Sequence, residues 1–229
     1  MVAFVAWGER FWVEEQLVCG VPVLFVSLRQ GRGRGHDARR AARLLSRAGV
    51  RRAAFPEAFS SLPAFAARGV LPAEQTPLRE ARAAALLRLC LRQRGLRPEV
   101  LTLVLCGAAP SRALAEAAHT LCARMRYLRL DLDTGGAALA AQLRRALGVS
   151  PRLCAPPSVL RETEAALLFA PRRIAPGAGL VLPLYDDALR VTWRVRGETL
   201  QTPQAAALFG ALGAEEFLPV EAGHLTGMV

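Results

Sequence analysis

The sequence contains no lysine and no asparagine, and Ile174 is its only isoleucine. All 30 of its basic residues, counted without histidine, are therefore arginine. With 19 acidic residues the formal net charge is +11. The three scarce residues use AT-rich codons, so the pattern is typical of a bacterial protein from a GC-rich genome, in which arginine partly replaces lysine. Such a charge normally indicates an acidic partner. Because the arginines are spread over several predicted helix faces, nucleic acid is the least favoured of the partners considered.

The chain also lacks the cysteine patterns of zinc sites and disulfide frameworks. Its five cysteines are an odd number and none forms a CxxC pair, which favours a reducing, cytoplasmic location. The three histidines have no cysteine or acid at ligand spacing, so no metal site is predicted. They are His36, His119 and His224.

Long apolar runs are missing as well. No run reaches the roughly 18 residues that a membrane span needs. The apolar start, Met1 to Trp7, is followed at once by Glu9 and Arg10, so it is too short for a signal peptide. We therefore expect a cytoplasmic protein that does not enter the membrane.

What the chain does contain is an alternation of apolar runs and helical patterns, which predicts an α/β protein. The predicted fold is Rossmann-like, with a mostly parallel sheet, flanking helices and two lobes. Residues 1–75 form an N-terminal α/β lobe, and residues 76–229 form the Rossmann-like lobe. A bridging helix over residues 76–95 begins at Thr76-Pro77, where a capping hydroxyl precedes proline at the first helical position.

Within the second lobe, four apolar runs are predicted to lie in one mainly parallel sheet. They are Leu101–Cys106, Tyr127–Asp131, Ala165–Ala170 and Gly179–Leu184. Their central side chains are predicted to be nearly fully buried: Leu103, Leu105, Leu168 and Leu182.

Three further local predictions concern the remaining segments. Leu189–Val195 alternates strictly between apolar and polar residues, which predicts an edge or antiparallel strand with one solvated face. In the first lobe, Phe11–Leu17 is predicted to form one or two helical turns. Asp37 is the predicted N-cap of a helix over Ala38–Ala48.

The stretch from Leu101 to Asp133 carries the ligand hypothesis. It reads as a strand, a tight turn at Gly107, a helix and a second strand that ends in Asp131 and Asp133. A dinucleotide site needs such a turn for the pyrophosphate and an acid on the next strand for the ribose. The cofactor is predicted to be NAD or NADP, with NAD favoured because a 2′-phosphate would meet a carboxylate. The predicted contacts are Gly107, Ala108, Ala109, Ser111, Arg112, Asp131 and Asp133.

The glycine fingerprint at this turn is incomplete. Ala109 would hold a Cβ toward the phosphates, and Pro110 removes one N–H from the cradle. Arg112 replaces the small residue that lets helix and strand pack closely, although its guanidinium could itself contact a phosphate. The alternative is therefore a Rossmann-like unit that binds no nucleotide.

A glycine-rich loop is the second candidate for ligand binding. Three glycines, Gly31, Gly33 and Gly35, alternate with Arg32 and Arg34 between a strand and a helix. Such a loop could wrap an anion. The simpler interpretation is a solvated loop without a ligand.

The order of elements from Thr76 onward resembles the nucleotide domains of shikimate dehydrogenase-like proteins and of the dipicolinate synthase family. Three segments carry the resemblance: the Thr-Pro-started helix, EAALLFAP with GLVLPLYDD, and the later helix TPQAAALFGALG. The resemblance covers residues 76 to 212 and implies an oxidoreductase relative. Shikimate dehydrogenases use a Lys–Asp pair for acid–base chemistry. With no lysine in this chain, and arginine protonated at ordinary pH, the resemblance implies a diverged member that has lost this reaction.

Three functions remain open at this stage. The first is a diverged NAD(P)-binding protein with weak or absent catalysis. The second is a non-enzymatic scaffold or regulatory protein that retains the fold. The third is an arginine-mediated nucleic-acid binder. Catalytic residues are not identified, so the sequence leaves open whether the protein is an enzyme. Binding of a nucleotide or another small molecule and homo-oligomerisation are also compatible with the sequence.

Overall fold

The protein is an α/β structure with one mixed sheet, one parallel sheet and flanking helices. The computed structural model describes residues 1–31, 33–125, 127–154, 164–172 and 179–223. Contacts within the chain define two compact units. The first contains Met1–Gln75 and Trp193–Phe217, and the second contains Thr76–Thr192 and the segment from Leu218 onward. The predicted second lobe included residues 193–217, which these contacts group with residues 1–75; the boundaries of the two lobes as folding domains stay a prediction.

The chain begins with a five-stranded mixed sheet and two helices. In chain order the elements are β1 (Val2–Gly8), β2 (Trp12–Val18), β3 (Val21–Arg29), α1 (Arg34–Arg47), β4 (Arg52–Ala54), α2 (Leu62–Ala66) and β5 (Leu71–Pro72). The strand order is β2-β3-β1-β4-β5. All neighbouring pairs are parallel except β2 with β3. An aromatic cluster of Trp7, Phe55, Phe59 and Phe65 lies in the core of this unit.

Two sequence predictions in this region are wrong. The segment Phe11–Leu17 is not helical, because Trp12–Val18 pairs antiparallel with β3 and forms the edge of the sheet. Asp37 is not an N-cap either. Gly33 caps α1 with a left-handed φ of 91°, which glycine adopts without steric cost. Asp37 lies in the first turn of the helix and is buried.

The rest of the chain contains the parallel sheet and its helices. In chain order the elements are α3 (Thr76–Ala81), α4 (Ala83–Gln93), β6 (Thr102–Gly107), α5 (Arg112–Cys122), β7 (Tyr127–Leu132), α6 (Gly136–Leu147), β8 (Arg152–Leu153), β9 (Glu164–Leu168), β10 (Val181–Pro183), β11 (Val191–Val195), β12 (Glu198–Gln201), α7 (Thr202–Phe209) and β13 (Phe217–Ala222). The predicted bridging helix over 76–95 is thus two helices, α3 and α4. They are separated at Arg82, whose φ of −108° departs from helical geometry.

The parallel sheet has the strand order β10-β9-β6-β7-β8. Every neighbouring pair in it is parallel, which confirms the prediction of one mainly parallel sheet. Strand β6 lies at its centre and is buried on both faces, as its continuous apolar run predicts. All four predicted core leucines are 0% exposed: Leu103, Leu105, Leu168 and Leu182.

Strand β11 lies between β12 and β13 in a separate three-stranded sheet. The predicted alternation is confirmed, since Val191, Trp193 and Val195 are all buried. Of the two predicted alternatives, the edge position is wrong, because β12 and β13 flank the strand on both sides; antiparallel pairing stays a prediction. Helix α7, which follows β12, packs against β1 and β4 of the first unit. Within the described part of the chain, no helix has both the length and the apolar character to cross a membrane.

Candidate functional site

The predicted nucleotide residues come together at the carboxyl ends of β6 and β7. Cys106 pairs in register with Asp131, and Gly107 pairs with Leu132. Backbone hydrogen bonds then join the two following loops: the Asp133 N–H donates to the Gly107 carbonyl at 3.3 Å. One residue further, the Thr134 N–H donates to the Ala108 carbonyl at 3.0 Å. The sequence therefore predicted the neighbourhood of Gly107, Asp131 and Asp133.

An arginine that the sequence did not indicate occupies this position. Arg172 follows β9, and its Nη2 donates to the Gly107 carbonyl at 2.7 Å and to Asp133 Oδ1 at 2.8 Å. Its Nε lies 3.7 Å from Asp131 Oδ2. We call Arg172, Asp131 and Asp133 the strand-end cluster. One guanidinium thus contacts both of the carboxylates that the sequence predicted as ribose ligands.

Gly107 lies in a closely packed position and not in a turn of unusual geometry. Its φ is not among the positive values of this chain. A Cβ at this position would lie 3.0 Å from Leu114 Cδ1 and 3.4 Å from Leu132 Cδ2. Leu114 belongs to α5 and is fully buried. The glycine thus lets α5 pack closely against the end of β6.

The loop between β6 and α5 is exposed from Ala108 to Ser111. The Ser111 hydroxyl accepts a hydrogen bond from the Leu114 N–H at 3.1 Å and so caps α5. Pro110 lies against the next loop, where a Cβ on Gly135 would come within 2.7 Å of its Cδ. The Ser111 side chain is therefore used as a cap, while Ala108 and Ala109 face solvent.

Arg112, the residue at the start of α5, pairs with an acid on its own helix. Its side chain is 92% exposed, and its Nε donates to Glu116 Oε1 at 2.7 Å, one helical turn further along α5. The hydrogen bond to this carboxylate raises the pKa of Arg112 above its usual value. The residue thus forms an ordinary surface pair on the helix.

Three buried cysteines of the second unit have thiols with raised pKa values: Cys90, Cys106 and Cys122. Burial, and then the neighbouring Asp131 carboxylate, raise the pKa of Cys106 well above its usual range. Burial also raises the pKa values of Cys90 and Cys122 to about 11 each. Since the thiolate is the reactive form, these three thiols are inert packing groups. Over the described ranges, no three His, Cys, Asp or Glu side chains cluster as metal ligands do.

The second predicted candidate, the glycine-rich loop, leads into a groove. Gly31 and Gly33 both have a φ of 91°, and the Arg34 guanidinium lies 5.8 Å from the centre of the Trp7 ring. Arg32 lies outside the described residues. Immediately after this loop, α1 and α2 enclose a groove of about 560 Å³, which we call the α1–α2 groove. Its polar lining consists of His36, Arg39, Arg43, Ser60, Ser61 and Arg68.

Sequence reasoning missed Arg172 and the groove for the same reason. Arg172 lies 39 residues beyond Asp133 and 65 beyond Gly107, and a local pattern contains no signal for contacts at such separation. The groove likewise combines residues from two helices. A sequence signal did exist for α1, where arginine recurs at positions 39, 40, 43 and 47.

No protein-family model matches this chain, and no curated protein matches its sequence. Function is therefore inferred from the geometry of these two sites.

Proposed function

We propose that this chain is a Rossmann-like α/β protein that keeps the fold without dinucleotide chemistry and acts as a cytoplasmic, non-enzymatic scaffold or regulatory protein. Its strand order supports the fold assignment. Numbered by their appearance in the second unit, the strands run 5-4-1-2-3 across the parallel sheet, which is the doubly wound order 3-2-1-4-5 read from the other edge. In such folds, ligands bind outside the carboxyl ends of the strands, where the order reverses. Here that place lies between β6 and β9.

The observation that carries the proposal is the strand-end cluster. Arg172 follows β9 and donates to the carbonyl at the end of β6 and to a carboxylate after β7. Its side chain is 19% exposed and that of Asp131 only 7%. The Asp133 side chain is 54% exposed, and a ribose that took the oxygens contacted by Arg172 would displace the guanidinium from them. Such a displacement is costly, because charge-assisted hydrogen bonds are the strong ones.

A second candidate is the diverged NAD(P)-binding protein with weak or absent catalysis. The start of α5 favours it, since Ala108 to Ser111 are exposed and a helix N-terminus attracts phosphate. In this candidate, phosphates lie over residues 107–111 and Asp131 or Asp133 holds the ribose. Arg172 must then leave the acids.

Calorimetric titration of the full chain with NAD and NADP separates the two candidates. The matched variant is Asp131→Ala, which removes the predicted ribose acid and leaves residues 107–111 unsubstituted. If Arg172 keeps nucleotides away from Asp131 and Asp133, the unsubstituted protein and Asp131→Ala give the same titration curve with each nucleotide. A thermal melt of the variant should accompany the titration to confirm that it is folded.

Binding of NAD to the unsubstituted protein that weakens in Asp131→Ala, with a smaller preference for NAD over NADP, would contradict the scaffold proposal. That result would favour the NAD(P)-binding candidate instead.

A further inference from the structure

The arginines of the first unit divide into those with acidic partners and those without. Arg29 pairs with Asp37 at 2.8 Å, Arg52 with Glu74 at 2.7 Å and Arg196 with Glu216 at 3.0 Å. Other arginines of this unit have no hydrogen bond or ion pair to any residue that the structure describes. Three of these, Arg39, Arg43 and Arg68, line the α1–α2 groove.

The positions of these three side chains concentrate positive charge in one place. Arg39 and Arg43 are four residues apart on α1 and therefore share one face of the helix. Arg68 comes from the segment that follows α2, on the opposite wall. Like charges at this spacing repel each other, and among the residues that the structure describes no Asp or Glu lines the groove. An anion in the groove would relieve that repulsion.

The remaining lining adds hydrogen-bond donors and an apolar wall. Ser60, Ser61 and His36 also line the groove with polar groups, and Ala64 and Ala67 add apolar surface to the lining. Planar guanidinium groups match the oxygens of phosphate. The volume of about 560 Å³ falls within the range of roughly 300–1,000 Å³ that is usual for small-molecule sites.

The two walls of the groove are held in place before any ligand binds. At the start of α1, Asp37 is 2% exposed and accepts hydrogen bonds from Arg29 Nε and Nη2 at 2.8 and 3.2 Å. Under α2, Phe65 is fully buried, with its ring centre 5.6 Å from that of Phe59. Fixed walls favour binding, because less ordering is needed when the ligand arrives.

We propose that the α1–α2 groove binds a small organic phosphate of the nucleoside diphosphate class. Its phosphates contact Arg39, Arg43 and Arg68, and its organic part lies against Ala64 and Ala67. A long nucleic acid fits less well, because the neighbouring arginine on α1 is directed to another contact: the Arg40 guanidinium lies 4.5 Å from the centre of the Phe11 ring. This site is distinct from the strand-end cluster, and the proposal does not depend on the scaffold function.

Calorimetric titration of the full chain with ADP at low salt tests the proposal. The variants are Arg39→Gln, Arg43→Gln and Arg68→Gln, and the matched control is Arg40→Gln, which removes the same charge from the same helix. Each groove variant should weaken ADP binding by roughly tenfold, as expected when a charge-assisted hydrogen bond to phosphate is lost. The control should change it less than twofold. All four side chains are exposed, and thermal melts should confirm that the variants fold.

Several results would overturn the groove proposal. One is the absence of ADP binding, and another is an equal loss in Arg40→Gln, which would indicate only an effect of net charge. Weaker ADP binding in Asp131→Ala would place the ligand at the strand ends and count against the scaffold function as well. Tighter binding of a single-stranded RNA oligomer than of ADP, with steep salt dependence, would identify a nucleic-acid surface instead.

Discussion

At the residue scale, the structure depends on arginines that are held by fixed partners. Arg79 is 0% exposed, although arginine is rarely buried without a partner. Its Nη1 donates to the carbonyls of Asp186 and Leu189 at 2.6 and 3.2 Å, and its Nη2 donates to Asp187 Oδ1 at 2.6 Å. The side chain thereby joins α3 to the loop between β10 and β11.

Replacing Arg79 by methionine tests this role. Arg79→Met keeps an apolar stem of similar length but leaves two carbonyl groups without their donor, so we expect the free energy of unfolding to fall by about 3 kcal/mol. The control is Arg92→Met on α4, where the side chain is exposed and a change within about 0.5 kcal/mol is expected. Urea denaturation measures both. Equal effects in the two variants would show that the buried contacts of Arg79 contribute little.

The pair of Arg29 and Asp37 predicts how stability depends on pH. The hydrogen bond from Arg29 lowers the pKa of the Asp37 carboxyl below its usual value. For a carboxyl with a lowered pKa in the folded state, the stabilisation is present above the unfolded pKa of about 3.9 and is lost as the pH falls through the folded pKa. Asp37→Asn should therefore be less stable than the parent at neutral pH and should lose less stability in acid.

Urea denaturation between pH 2 and pH 7 measures this difference. Arg29→Gln removes the other partner and should flatten the acid limb in the same way. The double variant should then show about the same pH dependence of stability as each single variant, because the effects of substituting two residues in contact do not add. An acid limb of unchanged slope in Asp37→Asn would contradict the assignment.

At the element scale, the central strand β6 should dominate the stability of the parallel sheet. Leu105 is 0% exposed, and its strand pairs with β7 on one side and β9 on the other. Leu105→Ala should reduce the free energy of unfolding by about 2–5 kcal/mol, through lost transfer energy and a residual cavity. Val100→Ala is the control, since that side chain is 68% exposed. A loss below about 0.5 kcal/mol in Leu105→Ala would show that the strand is not central.

The loop before α6 gives a second prediction at this scale. Gly135 has a φ of 73°, and a Cβ there would lie 2.7 Å from Pro110 Cδ. Gly148 at the end of α6 has a φ of 69° but no atom within 4 Å of its Cβ position. Each substitution by alanine should lower the free energy of unfolding by roughly 1–2 kcal/mol through backbone strain. Any further loss in Gly135→Ala compared with Gly148→Ala measures the clash with Pro110. Equal losses, measured by urea denaturation, would indicate that the loops are not packed together.

The sequence predicts elements that are determined by their own residues and misses features that depend on contacts with residues far along the chain. The apolar run of β6 is sufficient to predict a buried central strand. By contrast, Trp12–Val18 carries Glu14 and Glu15 in its middle, and only its pairing with β3 makes it a strand. The acids Asp131 and Asp133 could be placed beside Gly107 because parallel strands end at one edge, but their partner Arg172 could not. A polar side chain on a distant loop leaves no periodic signal.

At the scale of the whole molecule, the net charge is +11, and the arginines that supply it differ in whether they contact an acidic partner. In the strand-end cluster, Arg172 contacts two carboxylates, so its charge serves internal structure. In the α1–α2 groove, three arginines lack acidic partners among the described residues. Arginine is thus paired with acids at the strand ends and unpaired with acids in the groove. We propose that a small anionic ligand binds in the α1–α2 groove and not at the strand ends.

Amide hydrogen exchange of the full chain with and without ADP tests that claim most directly. The ligand should slow amide exchange in α1 and in residues 60–68. A bound ligand makes local unfolding of these segments less frequent, and their amides exchange only when the segment opens. Exchange in residues 107–114, at the start of α5, should not change. Protection of residues 107–114 with no change in α1 would contradict the account and place the phosphate at the strand ends.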